Sequence, residues 1–144
     1  MNPVRGDMAY AIADIAEAAG KELVVTEAWL YKANGLDEAS QSNLQGWEIG
    51  FRRDVFGFWE PLDARFVAAL ACFSRNTNTA YVSPFWTNYM FAYVEHNEES
   101  AKQSYKDLVT VRAPAKVGQS VVAGNMTETG RRYRGVIANK FNCN

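Results

Sequence analysis

The chain has 144 residues, the length of one domain, and its 48% hydrophobic and 22% charged content marks a globular rather than a disordered sequence. A formal net charge of −1 argues against general affinity for nucleic acid or for an anionic membrane surface. No apolar run approaches the ~18 residues a transmembrane helix needs, so none is predicted.

Residues 7–19 place Met8, Ala11, Ile12, Ile15, Ala18 and Ala19 on one face at helical spacing, with Asp7 as N-cap and Gly20 just past the C-terminus. The run Leu23, Val24, Val25, Thr26 is continuous rather than alternating. That pattern predicts a strand covered on both faces, as in a parallel sheet. Residues 31–60 read as a long connection with a short helix at 37–44, and Phe56, Phe58 and Trp59 as a lid over the strand ends. Pro61 opens a second helix, whose apolar side carries Leu62, Phe66, Val67, Leu70 and Phe73. A second strand follows at 80–86, its regular part stopping near Ser83 because Pro84 has no N–H to donate. Helices are expected over 87–95, 98–111 and 116–137, the last with breaks near Gly124 and Gly130. The fold class is therefore α/β in a single domain, 1–144, of order α-β-α-β-α-α, with parallel strands near 22–30 and 79–84.

Two buried strands, each followed by a helix, suit part of a (β/α) barrel, although a complete barrel takes about 250 residues. The stretch VVTEAW, with Val24, Val25, Thr26, Glu27 and Trp29, resembles the seventh-strand end of the retaining glycoside hydrolases built on (β/α)8 barrels. YVSPFW, ending in Trp86, resembles the eighth-strand end of the same clan. The resemblance implies the C-terminal portion of such a barrel, a carbohydrate-active function, a saccharide ligand and Glu27 as the catalytic nucleophile. It also implies Trp29, Tyr31, Trp86, Asn88 and Tyr89 as sugar-binding residues. The clan's acid/base Asn-Glu pair has no counterpart after a strand, since Asn97-Glu98 opens a predicted helix, and retaining hydrolysis needs two carboxyl groups. A barrel portion would keep open apolar strand edges and self-associate.

The residues themselves leave a second reading open: a small complete α/β domain that binds a ligand or partner through its aromatic loop. On that reading Glu27 is an anchor paired with Arg52 or Arg53, and the aromatics fill the core. Asp54 and Asp63 are candidate ligand-binding groups, with a structural pairing of Asp63 to Arg65 preferred. Cys72 and Cys143 are too few for a disulfide framework and are expected as free thiols, with one disulfide as the alternative. There is no CxxC and no HExxH, and His96 is the single histidine, so no metal or other cofactor is expected. Arg131, Arg132 and Arg134 read as a solvated helix face. Asp7, Asp14 and Glu17 interrupt the N-terminal apolar positions, which does not suit a secretory leader. The chain reads as cytoplasmic or as a piece of a longer protein, and its localisation stays open.

Overall fold

The computed structural model describes residues 5–30, 32, 44–84 and 87–143. The elements run α1 (Gly6–Ala18), β1 (Val24–Ala28), α2 (Leu44–Asp54), α3 (Glu60–Asn76), β2 (Tyr81–Pro84), α4 (Glu98–Ala101), α5 (Ala113–Val122) and α6 (Glu128–Ile137). Short 3-10 turns precede α3 and follow β2, and a π-helical stretch, Lys106–Arg112, leads into α5.

Among the described residues the sheet has two strands, β1 and β2, paired in parallel with Val24 beside Tyr81 and Val25 beside Val82. This corrects the barrel expectation. The sheet is neither closed nor curled, and the architecture is a small α/β domain. The crossover that a parallel pair requires is supplied mainly by α3.

The register slips between Val25 and Ala28. The extra residue shifts the side-chain alternation, so Val25 and Ala28 are buried at a spacing of three while Val24, Thr26 and Glu27 face solvent. The expectation that both faces of this strand are covered is corrected by the same observation.

Helix α1 closes as predicted at Gly20, which takes φ +61°. The Gly20 N–H donates to Glu17 and that of Lys21 to Ala16, which satisfies the last carbonyls of the helix. Its packing face is not the expected one. Ala9 and Ala13 are buried against Val25, Ala28, Leu70 and Phe73, while Met8, Ile12 and Ile15 are exposed. The small Ala9 and Ala13 make up the covered side of the helix, and that leaves the larger apolar stripe outside.

Helix α3 is the hub. Pro61 lies in its first turn, and Ala64, Val67, Leu70 and Ala71 recur at helical spacing on the buried side. A second apolar cluster joins Val55, Phe56, Val94 and Leu108. There the segment after α2 runs parallel to Val94, with Val94 N–H donating to Val55 and Gly57 N–H to Val94. The helix expected over 87–95 is therefore one 3-10 turn, Thr87–Met90, followed by this extended bridge. The helix expected at 37–44 lies, apart from Leu44, outside the described residues. Helix α2 runs through Gly46 and Gly50, inside the stretch expected as a long connection.

Two further corrections concern the C-terminal part. Helix α6 runs through Gly130, which sits against Met90: a Cβ there would lie 2.0 Å from the Met90 carbonyl oxygen. The break expected near Gly124 is present, where the glycine takes φ +70°. Cys72 and Cys143 are not free thiols but a disulfide, with Cα atoms 5.4 Å apart. Arg75 holds the same terminal segment through the Phe141 carbonyl and the Asn139 side chain.

Candidate functional site

The C-terminal ends of β1 and β2 open onto a cavity of about 40 Å³, room for a few water-sized groups. Ala28, Trp29 and Leu30 continue β1 into its wall, and Pro84 closes β2 beside it. Charged groups reach it from three other elements: Lys32 beyond β1, Asp54 at the end of α2 and Asp63 in the first turn of α3.

Lys32 is fixed at both ends. The Arg53 guanidinium donates to its carbonyl at 3.1 Å, and its own ammonium donates to Asp63 Oδ2 at 2.9 Å. The ammonium also stands 4.7 Å from the centre of the Tyr89 ring and 5.7 Å from that of Trp59, within cation–π range. The Lys32 and Asp63 side chains are 2% and 9% exposed, so the pair is held in a medium that strengthens its attraction.

Asp63 accepts a second hydrogen bond at 2.8 Å from the Tyr93 hydroxyl, which lies 2.9 Å from Thr129 Oγ1. Thr127 starts α6 by accepting from the Gly130 N–H, while its hydroxyl donates to the Tyr89 carbonyl. That cap fixes where Thr129 enters the cluster. Tyr89 and Tyr93 stack with ring centres 5.2 Å apart and planes 7° from parallel.

Asp54 is 5% exposed and faces the same cavity. Burial raises its pKa to about 6, opposed by Lys32, reinforced by Asp63 and opposed by Arg53. Burial also pushes the Tyr89 and Tyr93 hydroxyls well up from the ordinary phenol value, and the nearby carboxylates add to the shift. Both phenols are therefore neutral hydrogen-bonding groups across the physiological range.

The residues singled out in the sequence scatter around this centre. Trp29 and Tyr89 line the cavity. Glu27 is exposed and lines a separate groove along β1. Asn88 is exposed on the 3-10 turn, and Tyr31 and Trp86 lie outside the described residues. Asp63 pairs with Lys32 rather than with Arg65, which is exposed. Arg52 and Arg53 bond to the carbonyls of Gln103 and Lys32. Lys32, Tyr93 and Thr129 were not flagged by sequence at all. Among the described residues, no group of three or more His, Cys, Asp and Glu side chains could hold a metal ion, and no helix is long and apolar enough to cross a membrane.

No protein-family model, curated protein or solved structure matches this chain. With an open two-stranded sheet in place of a barrel, the likeness to the retaining glycoside hydrolases is not sustained, and neither is the carbohydrate-active reading that rested on it.

Proposed function

We propose that this chain is a small α/β binding domain whose ligand site is the cavity at the C-terminal ends of β1 and β2. The observation that carries the reading is Asp54: a buried carboxyl facing a cavity beside a Lys32–Asp63 pair whose hydrogen bonds are already made. Ligands of open α/β sheets bind outside the carboxyl ends of the strands, where side chains leave the packed interior. Above about pH 6 Asp54 is an acceptor, so the ligand presents a donor: a hydroxyl, an amide or an ammonium. The small volume admits a polar end group, and Trp29 and Tyr89 offer apolar walls for whatever carries it.

The test is a thermal-shift panel of polyols, primary amides and amines at pH 7, followed by calorimetric titration of any compound that raises the melting temperature. The reading expects a binder for the parent protein and at least a tenfold weaker one for Asp54→Leu, with Trp fluorescence changing on saturation. A panel with no binder, or binding that Asp54→Leu leaves intact, overturns it.

A further inference from the structure

The segment after α6 is clasped to α3 at two points. Cys143 is joined to Cys72 by the disulfide, and Arg75 lies three residues on from Cys72, on the same side of the helix. Arg75 donates to the Phe141 carbonyl and, at 3.0 Å, to Asn139 Oδ1, and its guanidinium stands 4.0 Å from the Cys143 sulfur. Residues 141–143 belong to no helix or strand, and none of them is buried. Among the described residues their backbone makes no hydrogen bond to another backbone group. Arg132 adds a cation–π contact, 5.6 Å from the centre of the Phe141 ring.

The covalent bond therefore carries most of the attachment. Exposed charged and cation–π contacts are weak, whereas holding each residue in one conformation costs entropy. A segment with no buried apolar side chain and only exposed hydrogen bonds lies at the low end of local stability. Helix α6 itself does not depend on the clasp. Its other end is held by the Thr127 hydroxyl donating to the Tyr89 carbonyl, by the Glu128 N–H donating to Glu60 and by Thr129 beside Tyr93. Arg75 and Asn139 also line a groove of about 490 Å³ between α3, β2 and α6, with Leu70, Tyr81 and Tyr133 among its walls. The bond between them ties the α3 wall of that groove to the end of the α6 wall.

We propose that the Cys72–Cys143 disulfide is a redox latch: a dithiol reductant releases the segment after α6 and frees Arg75 at the rim of this groove, while the rest of the fold stays assembled. Cys143 is exposed and Cys72 half-buried, so Cys143 is the sulfur a reductant reaches. A thiolate of the dithiol attacks it, the S–S bond breaks, and the electron pair leaves on Cys72, which takes up a proton. The second thiolate of the dithiol then attacks its own sulfur in the mixed disulfide and expels Cys143 as a thiolate, which is protonated in turn. Two electrons pass to the protein and the dithiol leaves as a cyclic disulfide. Oxidation by a disulfide such as oxidised glutathione reverses the sequence.

Backbone 15N relaxation of the parent chain tests this, first after oxidation with glutathione disulfide and then after dithiothreitol, without denaturant. In the oxidised protein, order parameters of residues 141–143 are expected to match those of α6. After reduction they are expected to fall below about 0.6, with α3, β2 and α6 unchanged, and to recover on reoxidation. Cys143→Ser is expected to show the reduced values in either buffer. A segment that stays ordered after reduction overturns the proposal. So does a general loss of dispersed signals, which would make the bridge a staple of the whole fold. A bridge that does not form, or that dithiothreitol does not open in the folded protein, overturns it as well.

Discussion

The Lys32 ammonium and the Asp63 carboxylate meet at 2.9 Å across a separation of 31 residues, and both are shielded from solvent. Each neutralises a charge the interior would not otherwise tolerate. Lys32→Met should cost about 3–5 kcal/mol, because Asp63 is left charged and buried. The double change Lys32→Met with Asp63→Leu should recover much of that loss. Urea denaturation of the parent, both single variants and the double variant gives the coupling directly, and additive losses would show that the pair is not a unit.

Asp54 gives the domain a pH dependence of fixed sign. Its pKa is raised from the ordinary 3.8 to about 6, so the folded state holds a proton that the unfolded chain releases. The associated stability is fully present below about pH 4 and is lost as pH rises through about 6. Two units correspond to about 3 kcal/mol. Asp54→Asn should therefore be more stable than the parent at pH 7, with the difference vanishing near pH 4. Melting temperatures of both proteins between pH 4 and 7 check this, and parallel curves would contradict it.

This centre was poorly legible in the sequence, for a physical reason. Helix periodicity and strand runs are local, and they located β1 from its Val-Val-Thr run and α3 from Pro61 and the spacing of Val67 and Leu70. The polar cluster is assembled by partners 30 and 36 residues from Tyr93, with nothing nearby to announce them. Asp63 had a nearer candidate in Arg65, and only the packing of Lys32 beneath Trp59 and Tyr89 decides between them. The α1 face differs from the expected one because hydrophobicity favours the large residues Ile12 and Ile15, whereas the side that the core covers carries the small Ala9 and Ala13.

Two glycines of α6 should respond in opposite directions to the same substitution. Gly135→Ala meets nothing within 4 Å and should gain about 0.5–1 kcal/mol from reduced backbone entropy loss. Gly130→Ala would drive a methyl group into the Met90 carbonyl and should cost at least about 1–3 kcal/mol. Because Met90 leads directly to Tyr93, the second variant should also disturb the cavity. Paired thermal melts decide the matter, and a stabilised Gly130→Ala would refute the close approach.

Reducing the Cys72–Cys143 bridge should lower the melting temperature. A tie across a separation of 71 residues is worth about 4 kcal/mol in the chain-entropy limit. Cys143→Ser should melt like the reduced parent, and it should not respond to reductant. A parent melt indifferent to reductant would exclude a stabilising role for the bridge.

The same bridge turns residues 72–143 into a covalent ring that contains β2 and every helix after α3, while α1, β1 and α2 hang outside it. The exposed turn at Ala123, Gly124 and Asn125 lies on that ring and is the kind of tip a protease nicks first. A single cut there opens the ring without parting the molecule, since α6 stays tethered through Cys143 to Cys72 in α3. The nicked chain would migrate as one species until reductant separates it into two, and α6 could go on delivering Thr129 to Tyr93 after the peptide chain between them had been broken.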